Sequence, residues 1–199
     1  MGTTKMITLE TIYNKVAKWN SDRYTRVYSH ELTFSLLEEE ATEYFTAESD
    51  VERLDALCDI CYVAMGGLWK LGLSEKEHEF TWHEAIEQVN MLNGIFIMEP
   101  IHAASSLITL FNAEDFDASM TAVRLHAIIS LCQFQMSLMD LSPFQHLEAL
   151  NVVCISNATK SIKKTDASIK ANAGDKGAYY VSPTAGLLAI LEARETCDA

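Results

Sequence analysis

The chain has 199 residues, 49% of them hydrophobic and 22% charged, with 28 acidic against 15 basic side chains and a net charge of −13. That length and apolar content suit one domain with a real core rather than a disordered chain. The negative balance argues against a nucleic-acid polymer or an anionic membrane surface as partner, though a bound cation can invert the local sign for a small anionic ligand. In chain order, Leu9, Ile12, Val16 and Trp19 recur at helical spacing over 9–19. A second helix is expected from Leu32 to Ala47. Ser49 or Asp50 can cap a third that runs to Leu71 and stops at Gly72, with a core stripe through Leu54, Leu57 or Cys58, Cys61, Ala64 or Met65, and Leu68. Further helices are predicted at about 75–97, 101–112, 117–140 and 144–160, broken by Gly94, Pro100, Asn112–Asp115 and Pro143. Residues 161–183 read as a basic loop, and Thr184–Arg194 as a closing helix. The expectation is a single all-α domain over 1–199, a multi-helix bundle.

No stretch of about 18 residues runs without a polar break, so no membrane span is expected. Met1 to Ile7 lacks the apolar run of a secretory signal. The five cysteines form no disulfide-framework spacing, which points to a reducing, cytoplasmic compartment. Cys58 and Cys61 make a C-x-x-C, but no second pair completes a zinc ribbon and the pair lies inside a helical pattern, so it reads as core. His78, His83, His102, His126 and His146 are scattered and make no H-E-x-x-H. P-loop, Rossmann and nucleophile-elbow motifs are absent. Trp19 and Asn20 near Arg23 offer a possible nucleobase wall, although aromatics at helical spacing more often pack a core.

The chemical signal lies on the second and third helices. Glu39, Glu40 and Glu43 stand at i, i+1 and i+4, and Glu52, Asp55 and Asp59 form a stripe at i, i+3 and i+7. Two helices joined by a few residues pack antiparallel, so facing stripes would bring four or more carboxylates together. At about 6 Å and an effective dielectric near 20, each like-charged pair costs ~3 kcal/mol. A divalent cation would neutralise that arrangement, and oxygen-only ligands select Mg²⁺ or Mn²⁺ over zinc. Charge runs are ordinarily solvated helix faces. Here Asp55 and Asp59, poor helix formers, sit inside the apolar stretch Leu54–Gly67, where enclosed carboxylates need a partner. Residues 158–178 carry five lysines against two acids, a local +3 suited to phosphate.

The run Leu36-Leu37-Glu38-Glu39-Glu40-Ala41-Thr42-Glu43, followed by Leu54-Asp55-Ala56-Leu57-Cys58-Asp59-Ile60-Cys61-Tyr62-Val63-Ala64-Met65-Gly66, resembles the all-α nucleoside triphosphate pyrophosphohydrolases. That superfamily includes MazG-like proteins, dimeric dUTPases and phosphoribosyl-ATP pyrophosphohydrolase. Its signature is E-E-x-x-E, a gap, then E-x-x-D. The first half matches at Glu39, Glu40 and Glu43. In the second, Asp59 takes the terminal position but Ala56 stands where Glu would be. Either Asp55 substitutes and pairs with Asp59, or Glu52 and Asp55 form the pair; the apolar run after Asp59 favours the former. Ser156-Asn157-Ala158-Thr159-Lys160 and Lys176-Gly177-Ala178-Tyr179-Tyr180-Val181-Ser182-Pro183 resemble later family segments.

The resemblance implies cleavage of a (d)NTP between the α- and β-phosphates. It implies Glu40, Glu43, Asp55 and Asp59 as Mg²⁺ (or Mn²⁺) ligands, and Glu39 or Glu40 as the group acting on water. Asn157, Lys160, Lys176 and, more weakly, Tyr180 would hold phosphates, in a homodimer or homotetramer. Residues 75–145 have no counterpart in the shortest members. This helical insertion makes phosphoribosyl-ATP the least favoured substrate beside a dUTP- or dCTP-type specificity or a broad NTP range. Outside the enzymes, the alternative is a helical interaction protein with a solvated or cation-binding acidic stripe.

Overall fold

The computed structural model describes residues 7–95, 99–109, 117–160 and 176–195. These form eight helices: α1 (Leu9–Ser21), α2 (His30–Thr46), α3 (Asp50–Leu71), α4 (Glu75–Ile95), α5 (Pro100–Thr109), α6 (Ala118–Leu138), α7 (Pro143–Ala158) and α8 (Thr184–Glu195). No strand occurs among the described residues, and the all-α expectation holds. None of the helices is long and apolar enough to cross a membrane.

Local chemistry sets the boundaries. Side-chain oxygens of Thr8, Ser29, Ser49, Asp117 and Ser142 accept from backbone N–H groups of the first turns they precede. α3 ends on Gly72 at φ +74°, where a side chain would be strained. Arg26 Nε donates to the Trp69 carbonyl in the same last turn (2.8 Å).

The middle of the bundle is α3, enclosed on nearly every side through Leu54, Ala56, Leu57, Cys58, Ile60, Cys61, Ala64, Met65 and Leu68. It packs against α1, α2, α6, α7 and α8. Small residues permit the close approaches: a Cβ on Gly67 would stand 3.1 Å from both Leu125 Cδ1 and Thr33 Cγ2. The inserted helices α4 and α5 pack on α6, which continues the core into α3. Buried side chains from all eight helices join one apolar cluster. Cys58, Cys61, Cys132 and Cys154 are buried, unbridged parts of that cluster, as core packing requires. Cys197 lies outside the described residues.

Candidate active site

α2 turns Thr33, Phe34, Leu37, Ala41 and Tyr44 into the core. Glu40 precedes Ala41 at the edge of that face and is half-buried, whereas Glu39 and Glu43 are exposed. Only Ala47–Ser49 connect α2 to α3, so the chain doubles back and the two helices pack along their lengths. On α3, Asp55 and Asp59 lie one turn apart, each flanked by fully buried residues. Both are half-buried by surface area, yet the surroundings of the Asp59 carboxyl are dense with protein atoms.

The acids from the two helices meet electrostatically. Burial first, and then Asp59, Glu43 and Glu39, push Glu40 well above the ordinary carboxylate range. Burial, then Asp55 and Glu43, do the same to Asp59. Asp55 is raised by burial and by Glu43, and its Oδ1 is enclosed without any hydrogen-bond partner. A buried oxygen with no donor, among carboxylates that repel one another, is an arrangement that a cation would complete. The donor set is all oxygen and fits a hard divalent ion. Among the described residues, no three acid, cysteine or histidine side chains already surround a common point at ligand distance.

Glu52 stands apart. Its Oε2 accepts from the backbone N–H groups of Glu48 (2.9 Å) and Ser49 (3.1 Å), completing a capping box with Ser49. These bonds hold its pKa below the usual value. The Glu52 carboxylate is thereby engaged by the helix cap, whereas Asp55 Oδ1 has no hydrogen-bond partner.

Positive charge arrives from the other end of the chain. Lys160, just past the end of α7, offsets the negative field at Glu40, Asp55 and Asp59, and Lys176 offsets that at Asp55. The buried Asn157 side chain lies close enough to Asp59 to favour its ionised form. Ser156 Oγ donates to the Val181 carbonyl (2.7 Å), and Val181 N–H donates to Thr159 Oγ1 (3.0 Å). These two bonds bring residues 176–183 back beside α7. Tyr180 is half-buried with the Lys176 ammonium 5.1 Å from its ring centroid, so it backs that lysine. Lys163, Lys164 and Lys170 of the basic loop lie outside the described residues.

Trp19 does not form an open nucleobase wall. Arg23 covers its ring at 4.3 Å, Tyr62 meets it edge-on at 5.7 Å, and its Nε1–H donates to the Asn157 carbonyl (2.8 Å). Tyr62, one turn beyond Asp59, carries a buried hydroxyl without a hydrogen-bond partner. Sequence reasoning missed these contacts. The i, i+3 spacing of Asp59 and Tyr62 was the one signal that could have drawn attention to the tyrosine.

With the geometry in place, residues 6–85 match the phosphoribosyl-ATP pyrophosphohydrolase family, a member of the all-α nucleoside triphosphate pyrophosphohydrolase superfamily. That match covers less than half of the 199-residue chain. That segment takes in α1, α2, α3 and the first part of α4, and with them all the acidic candidates. It supports a pyrophosphohydrolase-type activity, the hydrolysis of an acid anhydride. Asn157, Lys160 and Lys176 lie beyond the matched residues and reach them by folding alone. No curated protein and no solved structure matches the chain.

Proposed function

We propose that the protein is a metal-dependent nucleotide pyrophosphohydrolase, cleaving a (d)NTP between the α- and β-phosphates to a (d)NMP and pyrophosphate. The supporting observation is the meeting of Glu40, Glu43, Asp55 and Asp59, from two helices of the family-matched segment, with Lys160 and Lys176. These four carboxylates would hold Mg²⁺, with Mn²⁺ a substitute. When bound, the ion would polarise the scissile phosphoryl group and neutralise developing charge.

The chain's own residues supply the rest. Glu40, the more enclosed of the adjacent pair, serves as ligand, and the exposed Glu39 beside it orients the attacking water and accepts its proton. Asn157, beside Asp59, offsets part of the burial and repulsion that favour its protonated form. Lys160 and Lys176 bind the phosphates that leave as pyrophosphate, in the bound substrate as well as in the transition state, and Tyr180 keeps Lys176 in place. The family match restores phosphoribosyl-ATP, which the insertion argues against, to the substrates worth assaying. Homodimeric or homotetrameric assembly in the cytoplasm completes this reading.

The test is pyrophosphate release from a panel of canonical and modified (d)NTPs and phosphoribosyl-ATP, with Mg²⁺, Mn²⁺ or EDTA. Metal-dependent release, lost by about 10²-fold or more in Glu43→Ala and Asp59→Ala, is expected. One preferred pyrimidine nucleotide would indicate a dUTPase- or dCTPase-type specificity. Silence across the panel from folded protein would contradict the reading and favour the helical interaction protein.

A further inference from the structure

The C-terminal end of α1 is tied to the C-terminal end of α7 by contacts that core packing does not require. Trp19 Nε1–H donates to the Asn157 carbonyl at 2.8 Å, and Arg23 Nη2–H donates to the Lys160 carbonyl at 3.0 Å. The two donors are themselves joined. The Arg23 guanidinium lies 4.3 Å from the Trp19 ring centroid, and its Nη1–H reaches the Trp19 carbonyl at 3.3 Å. The edge of Tyr62 braces the indole from α3.

These bonds fall at a place of physical consequence. The last carbonyls of a helix have no intrahelical donor, and the final turn frays unless something satisfies them. In α7 the backbone N–H groups of Thr159 and Lys160 close the last turn onto Ser156 and Asn157, and no basic side chain in that turn reinforces them. Its end must nevertheless stay fixed, because Asn157 reaches Asp59 from it and Lys160 follows it directly. Charged donors to carbonyls are the stronger kind of hydrogen bond, and a guanidinium stacked on an indole gives up little further freedom to make one.

We infer that Trp19 and Arg23 are positioning residues: together they clamp the end of α7 so that Asn157 and Lys160 face the acidic pair on α3. The inference rests on the function proposed above, but the clamp is a separate claim. Neither residue touches the phosphates. Both act through Lys160 and Asn157, and their loss weakens substrate binding more than it slows the chemical step.

The experiment is a kinetic cycle on the full chain, with pyrophosphate release read from the best nucleotide of the panel. Arg23→Ala and Lys160→Ala are each expected to raise KM by about tenfold with kcat changed far less, and the double variant to resemble the worse single variant. Trp19→Phe, which keeps a ring but loses the N–H donor, should raise KM by about threefold. Arg23→Lys, which keeps a cation over the indole and one donor, should recover part of the loss. Multiplying effects in the double variant, or an Arg23→Ala enzyme with unchanged KM, would overturn the inference. If the wild type turns over no nucleotide, the functional reading fails and amide hydrogen exchange decides the clamp alone. Faster exchange at residues 157–160 in Trp19→Phe and Arg23→Ala, with the middle of α7 unchanged, supports it; unchanged exchange at 157–160 overturns it.

Discussion

Glu40 sets stability and function against each other at the level of a single side chain. It is half-buried beside Asp59, Glu43 and Glu39, and both burial and those charges favour its protonated form. Without a cation, such a carboxylate weakens the fold that holds it; in the function proposed above it would be a ligand. Glu40→Gln, which keeps the shape and removes the charge, should therefore raise the metal-free melting temperature by about 2–4 °C, the shift expected for ~1 kcal/mol in a chain of this size. The same variant should show a smaller stabilisation by Mg²⁺ than the wild type, both read by thermal unfolding with EDTA and with excess Mg²⁺. Much at this scale was legible in the sequence. Spacing along two helices on either side of a short turn marks Glu39, Glu40 and Glu43 and Glu52, Asp55 and Asp59, and the family resemblance narrows these to Glu40, Glu43, Asp55 and Asp59. Glu52 was the ambiguous member. Its Ser49-x-x-Glu52 spacing is a capping-box signature, and the cap is the role the structure gives it.

Among the helices, the inserted pair α4 and α6 meet over an unusual contact. His126 of α6 is 8% exposed, its ring is held edge-on by His78 (5.7 Å) and Trp82 (5.3 Å), and neither ring nitrogen has a hydrogen-bond partner. Burial first, and then the neighbouring His78, lower its pKa from 6.5 to about 4. Between those values the unfolded chain binds a proton that the folded protein refuses. The stability contributed by neutral His126 is thus fully present above pH 6.5 and is lost as pH falls toward 4. The loss integrates to ~3 kcal/mol at most, and His126→Phe should flatten that limb of a chemical-denaturation pH profile. Helix ends were less legible than helix cores. α2 begins at His30 rather than Leu32 because Ser29 caps it, a signal hidden by polar residues in its first turn. α6 stops at Leu138, where the chain turns through Asp140 at φ +63°, a conformation open to Asp.

Across the whole molecule, α3 organises both the core and the candidate site. One side of it carries Asp55 and Asp59 toward α2, and the rest is enclosed by α1, α6, α7 and α8. Periodicity disclosed the bundle, because eight amphipathic or apolar stretches punctuated by Gly, Pro and polar runs leave little else to build. It could not disclose that Trp19 and Arg23 would reach residues 157 and 160, since contacts at that sequence separation have no local signature. In the function proposed above, Glu40, Glu43, Asp55 and Asp59 form one cation site. Mn²⁺ binding followed by electron paramagnetic resonance, in the wild type and in Asp59→Asn, tests it most directly. Saturable binding is expected in the wild type, weakened by about tenfold or more in the variant. Equal binding by the two proteins, or none by the folded wild type, would contradict it.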